Sequence, residues 1–321
     1  MSKKVYITRL ILDEGIELLK KKGIQVDINP EDKVLSGPEL KNAIKGYDAV
    51  LCLLTDKIDG DVLDAAGDQL KIVANYAVGY DNIDVKAAQD RKIHVTNTPG
   101  VLTEAVAEHT FALLMSVAKR IVEADDFVRA GKYKQWEPKG FLGPQIWGKA
   151  IGIVGLGRIG SFVAQIAHGG FNMEVLYHDV KKNEEFEMRF SAKYRDLPTL
   201  LKNADFVTVH VPLLPATRHL IGAKELGTMK ESAILVNTSR GPVVDEVALI
   251  EALKSKKIAG AGLDVYESEP DLTPGLTDLP NVALTPHTAS ATNEARNAMS
   301  RIASENIIAA LEGKIPPNLV K

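Results

Sequence analysis

The chain has 321 residues, 45% hydrophobic and 25% charged, the mix of a globular protein too long for one ordinary core. With 39 Lys and Arg against 42 Asp and Glu, its net charge of −3 excludes a broad electrostatic attraction to nucleic acid or an anionic membrane. A single cysteine, Cys52, excludes an intrachain disulfide, and its apolar run at 49–54 marks it as a core residue.

Met1-Ser2-Lys3-Lys4 leads directly into a strand at 5–8 with no apolar signal core, and no stretch is long enough to span a bilayer. A cytoplasmic protein is expected. Further strands at 24–28, 49–53, 72–75 and 94–96 alternate with helical patterns at 13–22, 38–45, 60–66 and 84–91. Repeated βαβ predicts a parallel sheet covered on both faces. The turn-rich Asn97-Thr98-Pro99-Gly100 closes this first domain.

Residues 103–129 read next as one helix of unusual length. Ala105, Ala107, Phe111, Leu113, Leu114, Val117, Ala118 and Ile121 spread apolar character around much of its circumference. Such a helix must be buried on more than one side, by the neighbouring domain or, as preferred here, by a partner subunit as well.

A second βα series starts at Lys149, with strands at 150–154, 173–178, 206–211, 233–237, 260–264 and 282–285. A final helix at 291–312 is positioned to cross back onto the first domain. The expected division is therefore 1–98 with 288–321, and 99–287.

Four signals in this second half carry chemistry. Gly155-Leu156-Gly157-Arg158-Ile159-Gly160 follows a strand and opens a helix. Gly155 suits a tight turn, Gly157 a close approach of pyrophosphate, and Gly160 the packing of helix on strand. Phosphate would rest on the N–H groups around Arg158 and Ile159. Asp179 ends the next strand, 24 positions beyond Gly155, where a carboxylate accepts from both adenosine ribose hydroxyls and repels a 2′-phosphate. NAD is thus favoured over NADP, with Lys181 and Lys182 leaving partial tolerance open.

Arg240, in Asn237-Thr238-Ser239-Arg240-Gly241, lies just past a strand's carboxyl end, where a guanidinium can hold a substrate carboxylate and polarise the adjoining carbonyl. His287, in Thr285-Pro286-His287-Thr288, suits the exchange of a proton with a developing alkoxide. Glu269 is the candidate carboxylate partner, and Glu267 competes for that role at this stage. The remaining histidines form no HxxxH or HxH pair, so a metal site has no support.

These residues resemble those of the D-isomer-specific 2-hydroxyacid dehydrogenases, nearest to the glyoxylate/hydroxypyruvate reductases. The likeness runs almost end to end. It includes Asn75-Tyr76-Ala77-Val78-Gly79-Tyr80-Asp81-Asn82, Asn97-Thr98-Pro99-Gly100-Val101-Leu102-Thr103-Glu104, His210-Val211-Pro212-Leu213, Gly262-Leu263-Asp264-Val265-Tyr266 and Ile315-Pro316-Pro317-Asn318.

The resemblance implies an α/β fold of two Rossmann-like or flavodoxin-like parallel-sheet domains, with the active site in the interdomain cleft. It implies a catalytic set of Arg240, Glu269 and His287. Leu53 and the Val78 and Gly79 amides would meet a small 2-oxo or 2-hydroxy acid. Thr103, His210, Pro212, Thr217, Thr238, Ser239 and Asp264 would line the cofactor, Asp264 at the nicotinamide carboxamide. A homodimer through 103–129 is also implied. Reductases that prefer NADPH usually carry Ser, Thr or Arg where this chain has Asp179. Close relatives can carry an aromatic at the position of Gly140. D-lactate and 3-phosphoglycerate dehydrogenases are the alternative enzymes, and a corepressor-type NAD sensor the alternative of a different class.

Overall fold

A computed structural model describes residues 3–320, so the Met1-Ser2 start and Lys321 lie outside the described residues. The chain divides into two compact units, one running through Leu102 and resuming at Ala291, the other Thr103–Ser290. The expected boundaries stood at 98/99 and 287/288. The observed ones follow element ends, since a helix begins at Thr103 and the strand-to-turn segment after residue 284 closes before Ala291.

In the first unit the order is β1 (Lys4–Ile7), α1 (Asp13–Lys21), β2 (Gln25–Ile28), α2 (Gly37–Ala43), β3 (Ala49–Cys52), α3 (Gly60–Ala66), β4 (Ile72–Asn75), α4 (Val85–Asp90) and β5 (His94–Thr96). The five strands form an all-parallel sheet in the order β2-β1-β3-β4-β5. β3 and β4 are buried at every position, as expected of inner strands covered on both faces. Helix starts are fixed locally, with the Asp59 and Asp84 side chains capping α3 and α4 by accepting from Val62 N and Ala87 N. The chain's last long helix belongs here too: the Ser300 hydroxyl donates to Leu12 O and accepts from Gly15 N, and the Tyr76 hydroxyl donates to Arg296 O at 2.6 Å.

The second unit opens with α5 (Thr103–Ala118) and α6 (Ile121–Arg129) and continues β6 (Ala150–Val154), α7 (Arg158–Phe171), β7 (Glu174–His178), α8 (Glu184–Phe190), β8 (Lys193–Tyr194), α9 (Leu197–Asn203), β9 (Phe206–Val209), α10 (Ala223–Thr228), β10 (Ile234–Asn237), α11 (Glu246–Lys254), β11 (Gly260–Leu263) and β12 (Val282–Leu284). α12 (Asn293–Leu311) is the helix that returns to the first unit. The seven-stranded sheet has the order β12-β11-β10-β9-β6-β7-β8, and all its pairs are parallel. Strand order reverses between β6 and β9, which is the switch point where ligands bind in doubly wound sheets.

The reading of 103–129 as one helix is corrected. Arg120 takes a left-handed conformation, φ +52°, and splits it into α5 and α6. The break is satisfied locally, because Lys119 N and Arg120 N still donate to Met115 O and Val117 O while Lys119 Nζ donates to Pro144 O at 2.9 Å. Of the two pieces only α5 is a core element, with Phe111, Leu113 and Leu114 buried at about 1.5–3 kcal/mol each. α6 has no buried residue.

Candidate active site

Because every strand of the second unit is parallel, the carboxyl ends of β6, β7, β9, β10, β11 and β12 lie along one edge of its sheet. Gly155, Asp179, His210, Thr238 to Gly241, Asp264 and Thr285 to His287 each fall within the three or four residues after one of those ends. The expected cofactor and catalytic segments of this unit are thus gathered by topology.

At the first of these ends Gly155 has φ +98°, and a Cβ there would lie 2.9 Å from the backbone of His210. A Cβ at Gly160 would lie 2.0 Å from Gly155 O, so the helix can pack only against glycine. At Gly157 a Cβ would meet nothing within 4 Å, and this residue caps α7 with no side-chain acceptor. The first-turn N–H groups at Arg158 and Ile159 have no partner among the described residues, and the positive end of the helix dipole lies at this end of α7.

Asp179 stands beside them. Its Oδ2 accepts from Leu156 N and its Oδ1 from Val180 N, both at 2.6 Å, which fixes the carboxylate and leaves lone pairs for further donors. It lines a cavity of about 460 Å³ with Leu156, Lys181, Lys182, Asn183 and Glu184. Free amides at a helix start and an oriented carboxylate at the next strand end fit the pyrophosphate and adenosine ribose of a dinucleotide.

Two further turns carry the proposed chemistry. The Arg240 turn is braced by Asn237, whose side-chain amide donates to Arg240 O and whose Oδ1 accepts from Ser239 N and the Ser239 hydroxyl. Thr238 is buried, its hydroxyl 3.0 Å from that of Thr110. Next to this turn, Gly241 comes so close to Tyr266 that a Cβ would lie 1.9 Å from its carbonyl. The Arg240 and Glu269 loops are therefore in direct backbone contact.

His287 Nδ1 lies 2.8 Å from Glu269 Oε2, and Glu269 Oε1 accepts from Tyr266 N at 2.9 Å. The competing carboxylate is engaged elsewhere, because Glu267 Oε1 is 2.6 Å from His219 Nε2. His287 itself has φ +55°, held there by donation from its N–H to Asp264 O at 2.8 Å and Thr285 O at 3.0 Å.

Asp264, expected at the nicotinamide carboxamide, is wholly buried. Its oxygens accept from the Thr285 hydroxyl at 2.6 Å, Thr288 N at 2.7 Å and Ala289 N at 2.8 Å. Burial pushes this carboxyl up, but hydrogen bonds from His109, Thr285 and those amides outweigh it and hold the group below its ordinary value. Burial and the charges of Asp264, Glu269 and Glu246 push the Tyr266 hydroxyl up to about 12, so it stays protonated and donates to Thr285 O at 2.9 Å. Both ring nitrogens of His210 are enclosed and unpartnered among the described residues; burial lowers this group to about 3, which keeps the ring neutral. Thr217 caps its own turn, donating to Pro212 O and accepting from Leu214 N. Thr103 begins α5.

Leu53, Val78 and Gly79 belong to the first unit. Leu53 N donates to Asp56 Oδ2 at 2.8 Å and its carbonyl accepts from Asn82. The Val78 and Gly79 carbonyls are held by the side-chain amides of Asn97 at 2.7 Å and Asn75 at 2.8 Å. Their own N–H groups have no partner among the described residues. Among the described residues no cluster of His, Cys, Asp and Glu is arranged to hold a metal, and no helix is long and apolar enough to cross a membrane.

Sequence reasoning missed His109. His109, on α5, reaches Thr285 Oγ1 at 2.9 Å and Asp264 at 3.4 Å. No local signal marked it, since its chain neighbours Glu108 and Thr110 are ordinary polar residues and its partners lie on a distant turn.

Residues 111–289 match a family model described as the D-isomer specific 2-hydroxyacid dehydrogenase, NAD binding domain. The whole chain is 50% identical to a glyoxylate reductase of Thermococcus litoralis, spanning 97% of it, and 50% identical to one of Korarchaeum cryptofilum, spanning 96%. A solved Thermus thermophilus protein superposes with a TM-score of 0.92 at 42% identity, over 99% of this chain and 100% of that one. An NADPH-dependent glyoxylate/hydroxypyruvate reductase of Sinorhizobium meliloti, solved with NADP and malonate, has a TM-score of 0.85 at 31% identity, over 100% of this chain and 97% of that one.

Proposed function

The chain belongs to the D-isomer-specific 2-hydroxyacid dehydrogenases, oxidoreductases that act on CH–OH groups with a nicotinamide cofactor, and from that membership we propose that it is an NADH-dependent reductase of small 2-oxo acids, with glyoxylate or hydroxypyruvate as substrate. The observation that carries the chemistry is the 2.8 Å pairing of His287 Nδ1 with Glu269, beside the turn of Arg240.

A nicotinamide cofactor, held by the turn at 155–160 and Asp179, would supply the hydride for the carbonyl carbon. Arg240 binds the substrate carboxylate and polarises the adjacent carbonyl. His287 gives the proton on Nε2 to the oxygen that becomes the hydroxyl. Glu269 fixes the ring through Nδ1 and stabilises its protonated form. In sum a 2-oxo acid, NADH and a proton become a 2-hydroxy acid and NAD. A homodimer belongs to the same reading, since Ile121, Val122, Val128, Trp136, Leu142 and Trp147 around α6 are all exposed large apolar residues.

Asp179 carries the cofactor preference. A carboxylate fixed by two backbone amides favours ribose hydroxyls and repels a 2′-phosphate. kcat/KM is expected to be higher with NADH than with NADPH, and Asp179→Ser is expected to narrow the gap. Matched assays with the two cofactors test this, and better use of NADPH by the wild type would refute it.

A further inference from the structure

The loop 266–273 that carries Glu269 is held from behind by a carboxylate that takes no part in the reaction. Glu246, the first residue of α11, is only 2% exposed and has no cationic partner among the described residues. A carboxylate so buried costs several kcal/mol unless its oxygens are hydrogen-bonded. Here both are, and both donors come from the loop: Glu267 N at 2.6 Å to Oε1, and the Thr273 hydroxyl at 2.5 Å to Oε2. Those two points bracket Glu269.

A second brace lies beside the first. Glu246 N donates to Glu267 Oε2 at 3.4 Å, while Glu267 Oε1 is 2.6 Å from His219 Nε2 and 3.6 Å from Arg218. His219 Nδ1 is 3.9 Å from Asp245, the residue that caps α11. Glu246 thus ties the loop to the start of a core helix, where the dipole favours its charge. We propose that Glu246 is a positioning residue for the acid–base pair, holding the 266–273 loop so that the Glu269 carboxylate stays on His287. The assignment rests on the His287–Glu269 reading above.

The test assays the full chain with NADH and glyoxylate across pH, together with NADH binding and thermal unfolding. Glu246→Ala removes both acceptors. It is expected to lower kcat/KM on the order of tenfold to a hundredfold, the scale of a misplacement of about 1 Å. The pH at which reduction falls off should also move down, toward that of Glu269→Gln, with NADH affinity retained. Glu246→Gln should behave as wild type, because its carbonyl can accept from Glu267 N and its amide can donate to the Thr273 hydroxyl.

An unmoved pH profile in folded Glu246→Ala, or a Glu246→Gln variant as impaired as Ala, overturns the proposal. If Glu246→Ala does not fold, Thr273→Val decides. It removes one bracket point and should shift the profile the same way by less, whereas no shift overturns the proposal. Glu269→Gln run in parallel separates the two readings. If its profile moves while that of Glu246→Ala does not, only the positioning role fails; if its own profile is unmoved, the acid–base reading fails.

Discussion

His287→Ala is expected to lower kcat/KM for 2-oxo acid reduction by about 10²–10⁴-fold, the range for removing a general acid. The rest of the 285–288 turn offers no ready proton donor, since Pro286 has none and the Thr285 and Thr288 hydroxyls both donate to the buried Asp264. Folding should be little changed, because the turn is held by the backbone bonds of His287 N to Asp264 and Thr285 rather than by the ring. NADH affinity and a thermal scan measured beside the kinetics separate chemistry from collapse. Retention of more than about a tenth of wild-type kcat/KM would remove His287 from the proposed role.

Arg240→Lys should be nearly as severe, with kcat/KM down by roughly 10²-fold, about 2.7 kcal/mol of transition-state stabilisation. The substitution keeps the charge but replaces a planar fork with a point donor, so the carboxylate and carbonyl can no longer be gripped together. The loss should come with a backbone still in place, because Asn237 braces residues 239 and 240 through main-chain atoms as well as the Ser239 hydroxyl. The same model demands a carboxylate beside the carbonyl. Acetaldehyde and acetone should not be reduced where glyoxylate and hydroxypyruvate are. Full activity in Arg240→Lys, or efficient reduction of acetone, would defeat this account of recognition.

Most of the architecture was legible because its determinants are local. Strand runs such as Ile72–Asn75, His94–Thr96 and Ala150–Val154 stand in the structure with the bounds read from sequence. The glycine fingerprint and Asp179 were legible for the same reason: each is fixed by one turn at the end of one strand. The break at Arg120 was not, because the apolar pattern runs on through Ile121 and Val122 and only a left-handed residue interrupts it. Nor could spacing choose between Glu267 and Glu269. They lie two residues apart, and the choice depends on His219, some fifty positions away in the chain. Glu246 looked like an ordinary acidic residue at a helix start. It is buried only because a loop from residues 266–273 folds over it. The partners of Asp264, which the resemblance places at the nicotinamide carboxamide, were not legible either: Thr285, Thr288 and Ala289 reach it from more than twenty positions on.

The central claim is that a protonated His287, sustained by the Glu269 charge, drives reduction. The pH profile of kcat/KM in Glu269→Gln, with NADH and glyoxylate, tests it most directly. The substitution preserves shape and removes one charge. With its carbonyl kept on Tyr266 N, the new amide presents a donor to His287 Nδ1, which can accept only when the ring is neutral. Reduction needs the protonated ring, so the fall in activity with rising pH should begin at a lower pH than in the wild type. A profile that superposes on the wild type would contradict the account.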